Sequence, residues 1–387
     1  LGHNIPAPMM RTSRPPSTPP AGMLAPSTES SRTSPRPVDE QLFHQSTLTA
    51  ARWTKVIGLL LITAIVSAFV CLQFGAAYIG LPQIFHVLFQ GVAGSGELDT
   101  TATILLHVRL PRVFLGFLIG CCLASVGVAL QALLRNPLAD PYLLGVSSGA
   151  ALGVSVAVLA GVGTTMLAAS VLPICGFLGS LAALLVIYRL AASYDRLPIH
   201  SLLLAGVILN AIFSALIMFV TSIMDPNRSF GMMTWLMGSL TAPTYPGLLV
   251  FSLYLVVGLT LLLRQVRVLN IMAFGEESAR SLGIDTERTK KYIFLVSALM
   301  TGAVVSVSGM IGFIGMVVPH AVRLIFGADH RLLLPAAALV GGAFLMIADT
   351  FARTFVSPSE LPVGIMTALA GGPFFIYLLV WRKDQMS

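Results

Sequence analysis

The sequence predicts an all-α polytopic membrane protein of about ten transmembrane helices, with both termini on the cytoplasmic side. Three observations predict it. Of the 387 residues, 56% are hydrophobic and 10% are charged, less than half of the about 25% charge found in soluble domains. The apolar residues gather into runs of crossing length, about 20 residues each. Lys and Arg then sort onto alternate loops, as the positive-inside rule requires.

Residues 1–50 form the first segment, read as a disordered tail. Residues 1–37 hold nine Pro and ten Ser or Thr, too little apolar surface to offset the entropy of ordering. The first apolar run opens near Val56 and lasts 24 residues, longer than a secretory h-region. Residues 51–387 form the transmembrane domain, with crossings at 56–79, 113–134, 143–162, 167–190, 201–224, 246–263, 290–309, 312–326, 332–350 and 363–381. Tyr292–Val318 is uncharged for 27 residues, too long for one crossing and too short for two. Gly309, Gly312 and Gly315 are its natural break, giving one full helix and one short or bent one.

With the N-terminus inside, fifteen of the 23 Lys and Arg fall on inner loops or helix ends and four lie in the tail. Only Arg109, Arg112, Arg228 and Arg353 fall outside. A nine-helix count would scramble this bias after residue 310. Within the crossings Gly116/Gly120, Gly145/Gly149 and Gly149/Gly153 are four apart, a spacing that lets helix backbones approach closely.

The net charge of +7 forms no stripe, so a nucleic-acid partner is not expected; the expected partner of most of the chain is the lipid bilayer. Cys71, Cys121, Cys122 and Cys175 lie in apolar runs and read as small packing residues rather than metal ligands. No G-x-x-x-x-G-K-[ST] loop occurs, so no nucleotide site of its own is expected. Neither are catalytic, metal or cofactor sites. An ion-coupled carrier would need ionisable groups in mid-membrane. Asp349 alone comes near this, and its place near the outer end of the ninth crossing favours a helix-end role.

The longest polar inner loop is residues 264–291. Within it Glu276–Leu282 can form two helical turns stopped by Gly283. Glu276 and Glu277 suit the helix N-terminus, and Ala279 with Leu282 would form a small apolar face. From these residues a solvated loop helix and a helix docked on a partner are equally served. On the outer side, Arg109, Arg112 and Arg353 fit either docking of an acidic partner or anchoring of helix ends. Asn210, midway along the fifth crossing, and Ser147 and Ser148, opening the third, fit a translocation pathway or polar contacts between helices.

Four motifs stand out. They are Arg109-Leu110-Pro111-Arg112, followed by Arg135-Asn136-Pro137-Leu138-Ala139-Asp140-Pro141 and Leu144-Gly145-Val146-Ser147-Ser148-Gly149-Ala150; Gly275-Glu276-Glu277-Ser278-Ala279-Arg280-Ser281-Leu282-Gly283; Gly312-Phe313-Ile314-Gly315 with Pro319-His320 and Arg323; and Ala348-Asp349, Ala352-Arg353, Glu360-Leu361-Pro362-Val363-Gly364 and Gly371-Gly372-Pro373. In this order, over residues 52–384, the chain resembles the FecCD-type permeases of ATP-binding-cassette importers for iron-siderophores, haem and vitamin B12. The tail has no counterpart in the family pattern.

The resemblance implies a type II importer permease fold in a bacterial inner membrane. It implies two permease chains, expected as a homodimer, with two copies of a separate ATPase subunit. Gly275, Glu276, Ala279, Leu282 and Gly283 then correspond to the coupling helix that meets the ATPase. Arg109, Arg112 and Arg353 would dock a periplasmic or surface-anchored substrate-binding protein. The cargo expected on family frequency is a ferric siderophore or haem, with cobalamin the alternative. A secondary transporter and a non-transporting membrane receptor are the competing classes.

Overall fold

The computed structural model describes residues 48–75, 77–90, 100–162, 168–192, 197–241, 243–356 and 359–384. Residues 1–47 of the expected tail and Arg196 lie outside these. Every regular element among the described residues is helical: α1 (Ala50–Gln73), α2 (Leu81–Gln90), α3 (Thr100–Thr103), α4 (Leu110–Leu134), α5 (Val146–Leu159), α6 (Ala168–Ala191), α7 (Ile199–Ser222), α8 (Pro226–Leu236), α9 (Tyr245–Leu263), α10 (Val266–Ala273), α11 (Glu276–Ser281), α12 (Thr286–Ser308), α13 (Ile314–Phe326), α14 (His330–Thr354) and α15 (Val363–Asp384). Among the described residues seven helices are long and apolar enough to cross a membrane, and three shorter apolar ones (in α5, α13 and α15) join them. The ten match the ten crossings read from the sequence.

The bundle has a column and a ring. The apolar windows of α4, α12 and α14 are 83%, 72% and 72% buried, whereas those of α1, α6, α7 and α9 are only 17–28% buried. Between helices in lipid there is little hydrophobic drive, so close backbone approach and dispersion supply the cohesion. The glycines provide that approach. A Cβ at Gly120 would run into the Gly341 carbonyl, and one at Gly127 into that of Gly315. Gly149 and Gly153 likewise meet Gly179 and the Cys175 carbonyl across the α5–α6 contact.

α4 is preceded by α3 and a π-helical stretch, Ile104–Arg109, so that one helical rod runs from Thr100 to Leu134. Pro111 sits in the first turn of α4, where its missing N–H and its ring disturb the preceding turn, and the wider π geometry absorbs that disturbance. The sequence reading placed residues 80–112 in an outer loop. Instead α2 buries Ile84 with Ile79 against Cys71, Leu72, Leu105, Val113 and Met346. α1 stops at Gln73 rather than near residue 79, because the Arg109 side chain takes its last carbonyls.

The expected break in Tyr292–Val318 falls between α12 and α13. Gly309 and Phe313 there have φ of 68° and 71°, and Ile311 N–H donates to the Tyr142 hydroxyl at 2.6 Å. α8, read from sequence as loop, ends beside this break. Ser239 N–H donates to the Ser308 carbonyl at 2.9 Å, and Val363 N–H donates to the Gly238 carbonyl at 3.0 Å. Irregular backbone at membrane depth is stable only when the protein satisfies its polar groups, and these bonds do so.

Candidate functional site

The candidate docking and coupling residues gather at the two ends of the column. At the outer end Asp349, on α14, is almost fully enclosed. Arg112, from the first turn of α4, grips it in fork geometry, with Nη2 to Oδ1 at 3.0 Å and Nε to both oxygens at 3.2 Å. Arg353, one turn along α14, places Nε 3.0 Å from Asp349 Oδ2 without hydrogen-bond geometry, so charge rather than a directed bond holds that contact. Arg112 also donates to Glu360 at 2.8 Å, and Glu360 is 55% exposed. Arg109 is buried and donates to the carbonyls of Leu72 at 2.9 Å, Gln73 at 3.0 Å and Ala77.

The structure therefore brings the three sequence-predicted arginines together. Arg112 and Arg353 face the two carboxylates while buried Arg109 is met by backbone carbonyls, so the cluster as a whole carries one more positive than negative charge. Glu360, the exposed member, belonged to a quoted motif but carried no role in the sequence reading. Asp349 sits between two guanidiniums as the centre of an ion-pair network. Arg228 makes a separate surface pair with Asp225 at 3.3 Å.

At the inner end α11 forms over Glu276–Ser281, one residue shorter than predicted. Gly275 and Gly283 have φ of 120° and 80°, a region L side chains resist. Gly283 N–H donates to the Arg280 carbonyl at 2.9 Å and Ile284 N–H to the Ala279 carbonyl at 3.0 Å. This pair of bonds is a Schellman stop, as the glycine in the sequence suggested. The expected apolar face divides. Ala279 is fully buried in its own chain, whereas Leu282, just past the helix end, is 68% exposed. Its exposed companion is Phe274, 83% exposed, which the sequence reading missed because it lies before the helix-opening glycine.

Around α11 lies a charged network. Glu276 pairs with Arg280 at 3.3 Å and with Lys290 at 3.3 Å, and Lys290 reaches Glu287 at 2.6 Å. A cavity of about 640 Å³ adjoins it, lined in part by Arg135, His200, Glu276, Arg280, Glu287 and Lys290. In the neighbouring turn Asp140 caps the short helical segment Pro141–Leu144 by accepting the Tyr142 N–H at 2.8 Å. Burial lifts its carboxyl to about 6. Asp329, before α14, is instead held down at about 2, chiefly by the Arg331 guanidinium.

The three candidate pathway residues differ in exposure. Ser147 and Ser148 are buried at the start of α5, Ser148 donating to the Gly145 carbonyl at 2.9 Å. Asn210 lies on the exposed surface of the single chain, midway along α7. One turn earlier on α7, Gly206 packs closely on Gly145.

A tightly packed bundle of ten apolar helices with a charged cluster at either end defines a polytopic membrane transport protein. Residues 59–381 match the model of the FecCD transport family, and the chain belongs to that family of ABC-importer permeases. It is 41% identical to the hemin transport system permease protein HmuU of Yersinia pestis, over 86% of this chain and 97% of that one. It is 42% identical to the cobalamin import system permease protein BtuC of Halobacterium salinarum, over 74% and 76%. A solved metal-chelate-type ABC transporter in an inward-facing conformation superposes with a TM-score of 0.71 at 28% identity, covering 85% of this chain and 99% of that one.

Proposed function

We propose that the chain is the permease subunit through which an ABC importer of a bacterial inner membrane carries a ferric siderophore or haem. Two copies form a homodimer on two copies of an ATPase subunit, which supplies the energy that this chain has no nucleotide site to provide. The observation that carries the reading is the disposition of charge at opposite ends of one rigid column. An exposed helix with its ion pairs stands at the inner end and an arginine cluster at the outer end, joined by α4, α12 and α14.

The inner end meets the ATPase. Gly275, Glu276 and Gly283 set the pose of α11, Ala279 anchors it to its own chain, and Leu282 with Phe274 presents the apolar contact. The outer end receives a periplasmic or surface-anchored binding protein. Arg109 and Arg353 are occupied within the chain and hold the cluster in place. Arg112 is the docking arginine, exchanging exposed Glu360 for a carboxylate of the partner. The unpartnered amide of Asn210 on an exposed, apolar helix supports a second copy and a water-containing pathway against α7, with Ser147 and Ser148 behind it. In lipid alone that amide would be costly.

Haem or ferric-chelate cargo is favoured over cobalamin because similarity to the haem permease spans 97% of that protein, against 76% of the archaeal cobalamin permease. The test is uptake by cells expressing the chain with its ATPase and binding protein, in a host lacking its own importers. Labelled haemin or ferric siderophore should accumulate and cobalamin should stay at background. Accumulation of cobalamin alone would overturn the cargo assignment.

A further inference from the structure

α11 is six residues long and cannot carry motion into the bundle by its own stiffness, so side chains must tie it to the crossings. Arg280 Nε donates to Thr286 Oγ1 at 2.9 Å, and Glu276 reaches Lys290; both ties land on the first turns of α12. Lys290 is only 5% exposed and sits 2.6 Å from Glu287 Oε1. The other oxygen of Glu287 accepts the N–H of Leu197 at 2.8 Å. Leu197 is buried and lies two residues before α7.

One carboxylate thus joins three elements. It reaches α11 through Arg280, 3.5 Å away, and through Lys290 to Glu276; by position it belongs to α12, and through Leu197 it holds the lead-in of α7. Beside it the cavity of about 640 Å³ separates the ends of α4, α7 and α11. Displacement of α11 can then reach α7 through this bridge rather than through continuous packing. Lys290 strengthens the bridge, because a buried ammonium that loses its carboxylate is strongly penalised.

We propose that Glu287, held by Lys290, is the positioning residue that passes movement of α11 to α7. This rests on the reading of α11 as the ATPase contact, so the two need separate readouts. The experiment uses the chain assembled with its ATPase subunit in nanodiscs, with Cys121 and Cys175 replaced by Ser. A spin label at exposed Ser281 reports docking on α11 through its mobility. A pair at exposed Thr54 and Ser201 reports movement of α7 by pulsed distance measurement.

Binding of the ATPase subunit should immobilise the Ser281 label. ATP with vanadate should then shift the 54–201 distance by about 2 Å or more. Glu287→Ala should cut that shift about threefold or more, with the Ser281 signal unchanged. Glu287→Gln, which keeps an acceptor for Leu197 but not the charge that holds Lys290, should give a shift between those of the unsubstituted chain and Glu287→Ala. A full shift in Glu287→Ala, or none in the unsubstituted chain, overturns the relay while leaving docking intact. A Ser281 label indifferent to the ATPase overturns docking and the relay together.

Discussion

Asp349 illustrates how single residues divide their work between fold and partner. Its carboxylate faces Arg112 and Arg353 in an enclosed setting, so Asp349→Asn leaves Arg353 without a counter-charge and Arg112 with only the exposed Glu360. That should cost about 3–5 kcal/mol, seen as a lowered unfolding temperature in nanodiscs. Glu360 contrasts with it. Because Glu360 is exposed, Glu360→Gln should change stability by less than about 1 kcal/mol. It should nonetheless speed association of the binding protein, because it frees Arg112 and raises the local positive charge. Raising the salt should narrow that gain, the screening length being about 8 Å at 0.15 M. The arginines were legible in the sequence as charges on the sparse side. Their carbonyl and carboxylate partners were not, because Leu72, Asp349 and Glu360 lie far from those arginines in the chain.

Asp140 gives a pH dependence with a definite sign. Its folded pKa, about 6, lies above its ordinary 3.8, so folding takes up a proton between these values. Stability should fall as pH rises from 4 to 6, by on the order of 3 kcal/mol in all. Asp140→Asn should flatten that slope, since an amide oxygen can still accept the Tyr142 N–H. An unchanged slope in thermal unfolding between pH 4 and 6 would show that another group is responsible.

Among the elements, periodicity and glycine spacing revealed most of the crossings, because each apolar run must satisfy its own backbone in lipid. The break at Gly309–Phe313 was legible for the same reason, 27 uncharged residues being an awkward length. Hidden from sequence were α2 and α8, whose short amphipathic stretches look like loop, and the early end of α1, which depends on Arg109 from another helix. The α4–α14 contact makes a sharp prediction. Gly120→Ala thrusts a methyl into the Gly341 carbonyl and should destabilise by about 1–3 kcal/mol or more, whereas at Gly58 a Cβ meets nothing within 4 Å and Gly58→Ala should be neutral. Equal unfolding temperatures for the two variants would refute close α4–α14 packing.

At the scale of the molecule, charge at the two ends and an apolar column between them describe a machine powered from one side and loaded from the other. Among the described residues the membrane-spanning carboxylate Asp349 is held between Arg112 and Arg353 rather than standing free for a proton or sodium ion. The central claim is therefore that transport is driven by ATP through a separate subunit. The direct test is haemin or ferric-siderophore uptake into proteoliposomes holding this chain and its ATPase, with the binding protein outside. Uptake should require ATP in the compartment where the ATPase lies and should be indifferent to collapse of proton and sodium gradients. Uptake driven by either gradient without ATP, by this chain alone, would contradict the account.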